Sequence, residues 1–375
     1  MIIYLSNRNV NQPTANSKLA KLFGNDFNPA GDDELRMCVA EQDANGKWPF
    51  ALIDPGKENQ RLAGIRKRIV NNKLHRNWLL FLHGNNQAFE DNVKKCQRLH
   101  DQYGMNVIAF SWPSQPTVSK QNMADAARKL SFDALIVRAL TAAVPVLGKK
   151  LFRKLSQYLK SEINAQKSAA AFNKVLGLVE NRIKGDFSDD ELNLNFLSYS
   201  LGNRVLQHTV DEDSFDNGDG LFSNHIMCQA DVDHDNHEDW VDEMNYSKQL
   251  YITHNEYDLV LGVSDIQNHD RLGNTTDTLP MNLPCRYVDF SEGKHVAGTH
   301  TLFFLNEGGN DKQLDDGNIK YDNSTTVRKF FNNTFLGKNV FPNRNPAKST
   351  GFKYNTKFNT YSMLKTEPYL EPPDD

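Results

Sequence analysis

Apolar residues along this chain follow two rhythms. Unbroken or alternating runs of five to seven residues predict strands: IIYLS at 2–6, LRMCVAE at 35–41, WPFALID at 48–54, NWLLFL at 77–82, NVIAFSW at 106–112, LNFLSY at 194–199, NHIMCQA at 224–230, QLYITHN at 249–255 and RYVDF at 286–290. Between them the spacing lengthens to that of a helix face. Phe89, Val93, Cys96 and Leu99 form one stripe, Leu151, Leu155, Tyr158 and Leu159 a second, and Phe172, Leu176, Val179 and Ile183 a third. Further helices are expected from Leu201, over an acidic stretch at 237–245, and near 324–336.

Trp78 to Leu82 are consecutively apolar, as in a strand covered on both faces. Strand, helix and strand over 77–112 make a βαβ unit with a right-handed crossover. The expected fold class is therefore α/β, a mostly parallel, doubly wound sheet in one domain. Within it, residues 1–75 read as an amino-terminal β layer of edge strands or hairpins, with a basic, polar connector at 57–76. Residues 114–190 read as a helical insertion lying over the carboxyl ends of the strands, as a lid does. Residues 308–375, rich in Asn, Asp, Lys and Gly, read as an irregular surface-wrapping tail.

Charge and cysteine usage narrow the function. A net charge of −4 leaves no basic surplus to neutralise a nucleic-acid backbone, so nucleic acid is not the expected partner. Cys38, Cys96, Cys228 and Cys285 are widely separated and read as buried free thiols, suited to a reducing, cytoplasmic setting. The opening MIIYLSNRN lacks a basic leader and reads as a strand. The apolar stretch at 134–148 is too short to span a membrane and carries Arg138 and Pro145. Between 149 and 184 nine Lys or Arg stand against two Glu, which predicts a solvated basic face or, alternatively, weak attraction to an acidic lipid surface or anionic substrate.

The candidate chemistry centres on Ser198-Tyr199-Ser200-Leu201-Gly202, where a strand ends and a helix begins. A nucleophilic serine is lifted clear of its sheet by a strained turn with small residues on both sides; here Ser198 stands where Gly is usual. His83-Gly84-Asn85-Asn86 follows the first buried strand, where a glycine-containing loop can aim a backbone N–H at a developing oxyanion. Asn85 and Leu201 are the candidate amide donors, with His83 and Gly84 orienting the loop. Asp258 lies between Ser200 and a downstream histidine, in the chain order Ser, Asp, His, with Asp231 and Asp233 as rival acids. His300 is the preferred base, because the apolar run behind it can anchor its loop, and His295 is the alternative. Asp231, Asp233, Asp235, Asp239 and Asp242 also match calcium-loop positions, but Asn236 replaces the turn glycine and a strand precedes the loop. No metal or cofactor is expected.

In combination, FLHGNNQAFEDNV, IAFSWPS, SYSLGNRVLQ, a strand followed by NEYD, and a histidine after VDFS resemble a little-characterised branch of the α/β-hydrolase superfamily, described as a domain of unknown function with predicted esterase or lipase activity. The resemblance covers about residues 1–10 and 76–306. It implies the α/β-hydrolase fold and a serine hydrolase acting on a small-molecule acyl ester through Ser200, His300 and Asp258. Amidase, thioesterase and acyltransferase chemistry use the same triad, and a non-catalytic binding module is the rival from another class. Ser198, the insertion and the tail depart from the family pattern, so the substrate is not carried over.

Overall fold

The computed structural model describes residues 1–11, 18–115, 156–189, 191–212, 220–264, 270–275, 277–293, 296, 298–304, 312–313, 319–320, 326–347 and 350–364. The chain opens with β1 (Ile2–Ser6), forms a small antiparallel ladder from β2 (Arg8–Val10) and β3 (Phe23–Phe27), and continues through β4 (Arg36–Ala40) and β5 (Phe50–Leu52). Helix α1 (Glu58–Val70) precedes β6 (Asn77–Leu82), α2 (Phe89–Tyr103) and β7 (Asn106–Ser111). Residues 156–167 form α3, followed by α4 (Ala169–Leu178) and a π-helical stretch, Val179–Lys184. Then come β8 (Asn193–Tyr199), α5 (Gly202–Asp211), β9 (Phe222–Cys228), α6 (His237–Val241), β10 (Ser247–His254), α7 (Leu261–Ser264) and β11 (Cys285–Asp289). A short β12 (Lys312–Gln313) and β13 (Ile319–Lys320) ladder, α8 (Thr326–Phe335), β14 (Phe352–Asn355) and β15 (Thr360–Met363) complete the order.

Among the described residues, eleven strands make the central sheet in the order β14-β15-β11-β10-β9-β8-β6-β7-β1-β4-β5. From β15 to β1 every pairing is parallel, and β14, β4 and β5 add antiparallel edges. The middle strands are buried on both faces, which is why they read as continuous apolar runs. Alternate residues of each strand feed two cores. On one face lie α1, α4 and α5, through Ile65, Phe172 and Val205; on the other lie α2 and α8, through Val93 and Phe331. This is the α/β-hydrolase arrangement, with the amino-terminal strands joined to the main sheet at its edge.

Three segments differ from the reading of the sequence. The stretch expected as a connector at 57–76 contains α1, whose Leu62, Ile65 and Ile69 form a narrow apolar stripe between charged residues. The carboxy-terminal stretch expected to be an irregular tail instead supplies β14 and β15, and buries Phe330, Phe331, Phe341, Phe352 and Tyr361. The later part of the insertion expected as a lid is core: Phe172 packs against Phe110 of β7 and Phe196 of β8, at 5.4 and 5.8 Å between ring centroids. That segment is the crossover between two parallel strands. Residues 116–155, where the rest of the expected lid falls, lie outside the described residues. Among the described residues of its basic face, Lys167 pairs with Asp32, Lys174 with Asp33 and Lys184 with Asp189, each at 2.7 Å. No helix among the described residues is long and apolar enough to cross a membrane.

The strand order itself places a crevice. Neighbouring strands β6 and β8 lead to helices on opposite faces, α2 and α5, so their carboxyl-end loops diverge. A gap at such a switch point is where doubly wound sheets hold their ligands.

Candidate active site

Ser200 stands at the end of β8 with φ of 52°, in the left-handed region where a Cβ crowds its own backbone. Hydrogen bonds from every side hold it there. Its N–H donates to Cys228 O at 3.0 Å, and its carbonyl accepts from Asn203 N at 3.0 Å, Asn203 Nδ2 at 3.0 Å and Asp231 N at 3.2 Å. Two glycines let the neighbouring chain approach. A Cβ on Gly202 would lie 2.8 Å from the carbonyl oxygens of both Leu82 and His83, and one on Gly84 would lie 2.6 Å from Ser200 Cβ. Only hydrogen fits at either position.

Ser198 explains its own departure from the family pattern. Its hydroxyl donates to Asn203 Oδ1 at 2.6 Å and accepts from His225 Nε2 at 2.8 Å. Asn203 in turn holds the Ser200 carbonyl, so a fully buried chain from His225 through Ser198 supports the turn from below. Burial lowers the His225 pKa to about 3, which keeps the ring neutral.

The loop after β6 is fixed by His83. Trp112 N–H donates to His83 Nε2 at 3.2 Å, so the proton sits on Nδ1 and is given to Gly84 O at 2.9 Å. Trp112 Nε1 donates to the His83 carbonyl at 2.8 Å. Burial, followed by the nearby Arg8 charge, holds the His83 pKa well below its usual value. Asn86 N is taken up by Ser114 O at 2.9 Å and Gln87 N by Ser114 Oγ at 3.1 Å. Among the described residues, the N–H groups of Asn85 and Leu201 have no acceptor.

Asp258 and His300 come together across 42 residues. His300 Nδ1 donates to Asp258 Oδ2 at 2.7 Å. The other carboxylate oxygen accepts from Val260 N at 2.9 Å and Leu261 N at 3.2 Å, which fixes the acid at the start of α7. Tyr199, beside Ser200 in sequence, packs its ring 5.1 Å from the His300 ring and bonds Thr301 Oγ1 at 2.8 Å. No hydrogen bond joins Ser200 Oγ to His300 Nε2 among the described residues. Such contacts commonly tighten only around substrate.

The rival acids are engaged elsewhere. Asp231 accepts from Tyr158 Oη at 2.9 Å and lies 3.4 Å from Arg271 Nε, while Asp233 pairs with Arg271 and with Arg204, the latter at 3.2 Å. These two carboxylates of the calcium-like loop are thus neutralised by guanidiniums. Buried Glu162 beside Arg204 has its pKa raised to about 7 by desolvation. Among the described residues no three His, Cys, Asp or Glu are grouped to hold a metal ion. His295, the alternative base, lies outside the described residues.

Residues 58–296, well over half of the chain, match the family described as an alpha/beta hydrolase of unknown function (DUF900). The chain belongs to this family. That membership supports a hydrolase, and its matched region contains Ser200, Asp258 and the His83 loop, with His300 just beyond it. No curated protein and no solved structure matches the chain.

Sequence reading missed Arg8. Its side chain is fully buried and donates to Ser111 Oγ at 3.0 Å, Gln87 O at 2.8 Å and Gly24 O at 3.1 Å. It therefore ties the ends of β1 and β7 to the loop after β6. Burial lowers its pKa to about 9. An Arg directly after a buried apolar strand is the signal that could have revealed it.

Proposed function

We propose that the chain is a serine hydrolase that cleaves a carboxylic ester through Ser200, His300 and Asp258. The observation that carries this reading is the 2.7 Å Asp258–His300 hydrogen bond beside a serine held at positive φ. Nδ1 of His300 bears the proton given to Asp258, which leaves Nε2 to accept the Ser200 proton as Oγ attacks the acyl carbon. The N–H groups of Leu201 and Asn85 receive the oxyanion. His300 then protonates the departing alcohol, and water repeats the sequence on the acyl-enzyme. Exposed Tyr257, Leu259 and Val260 flank Asp258 and favour a substrate with an apolar acyl part.

Labelling with a fluorophosphonate followed by peptide mass spectrometry tests the reading. Adduct on Ser200, absent in Ser200→Ala and slowed in Asp258→Asn, is the expected result. A correctly folded protein that stays unlabelled beside a reactive control hydrolase would sink it. Amides, thioesters and esters of graded chain length, offered to the labelled-competent protein, then separate ester cleavage from the related reactions.

A further inference from the structure

At the opposite end of the sheet a cavity of about 420 Å³ opens between the starts of β10 and β11 and the carboxy-terminal segment. Gln249, Arg286, Phe341, Arg344, Tyr354 and Tyr361 form its working wall, and among the described residues no Asp or Glu lines it. The volume falls within the range of small-ligand sites, roughly 300–1,000 Å³.

Two guanidiniums share its wall, with no carboxylate lining it among the described residues. Arg286 donates through Nε to Phe341 O at 3.0 Å and through Nη1 to Gln249 Oε1, both neutral acceptors. Arg344 lies with its guanidinium carbon 5.7 Å from the centre of the Tyr354 ring. Neither has a carboxylate partner among the described residues. Lys248, the third cation of the wall, is satisfied by Asp189. Tyr361 lies within reach of both arginines, which oppose the rise that burial gives its phenol. Its ring is stacked on Phe341 at 4.0 Å and meets Tyr354 at 5.1 Å, so the cations are set in a rigid aromatic wall.

Like charges brought together repel one another, and an anion that accepts from both gains two charge-assisted contacts while removing the repulsion. Guanidiniums match carboxylate and phosphate oxygens alike, but a phosphate dianion offsets two cations where a singly charged acid offsets one. His254 lies five steps along β10 from Gln249, roughly 17 Å at about 3.3 Å per residue, so this cavity is not the crevice of Ser200. We propose that it binds a small organic phosphate, with the dianion held by Arg286 and Arg344 and the organic part against Tyr354 and Tyr361.

Isothermal titration of the full chain with phenyl phosphate, and with benzoate as the singly charged comparison, tests this. The expected result is saturable binding of phenyl phosphate that is unchanged in Ser200→Ala and weakened about tenfold or more in Arg344→Gln. Arg344 is exposed, so that variant should fold, and an unchanged melting temperature checks it. Absence of saturable binding, equal affinity for benzoate, or undiminished binding by folded Arg344→Gln would each overturn the proposal.

Discussion

His83 and Trp112 hold one another by both ring and backbone. Their rings stack at 5.5 Å with 5° between planes, the Trp112 amide donates to the His83 ring, and the Trp112 indole donates to the His83 carbonyl. The loop after β6 and the end of β7 are therefore one unit. Trp112→Phe keeps the ring stack and removes the indole donor, leaving a buried carbonyl unpaired at a cost of about 1–3 kcal/mol. Urea unfolding should show that loss, and the rate of fluorophosphonate labelling should fall with it. Unaltered labelling in a destabilised variant would separate this pair from the site.

The positive φ of Ser200 makes a second expectation. A non-glycine residue in that region carries strain of about 1–2 kcal/mol, which glycine does not. Ser200→Gly should abolish labelling while raising stability by about 1 kcal/mol, read as a higher urea midpoint. A lower midpoint would mean that the hydroxyl contributes more to folding than the turn costs.

His225 gives the protein a direction of pH dependence. Its folded pKa of about 3 lies below the ordinary histidine value of roughly 6.5. Above that value the ring is neutral in both states and the stability is fully present. As pH falls through the window the unfolded chain binds a proton that the folded chain refuses, and stability is lost at about 1.4 kcal/mol per pH unit. The depressed pKa of His83 acts in the same sense. Urea midpoints at pH 7 and pH 4.5 should differ less in His225→Gln than in the unaltered chain, and equal differences would remove His225 as a contributor.

Much of this architecture was legible because buried parallel strands are written as uninterrupted apolar runs. NWLLFL and NVIAFS appear in the structure as β6 and β7, and the position of Ser200 after β8 follows from the same pattern. Asp258 and His300 could be named from chain order. Their 2.7 Å contact could not, because nothing local records a pairing across 42 residues. The same holds for Arg8 bonding Gln87 O and for His225 bonding Ser198, contacts 79 and 27 residues apart. Helix α1 escaped notice because charged residues crowd its three-residue apolar stripe. The strands β14 and β15 escaped because they are four residues each and rich in polar side chains.

The parallel pairing of β15 with β11 has a consequence for how the protein is made. Residues 360–362 supply the neighbours of 287–289, and β14 then pairs outside them. Until those residues leave the ribosome, β11 presents an open row of backbone donors and acceptors, and Phe341 lacks the Phe352 and Tyr361 rings that flank it in the finished sheet. A nascent chain that has formed β11 but not yet β15 therefore exposes an unpaired sheet edge, which is a template for pairing with another chain.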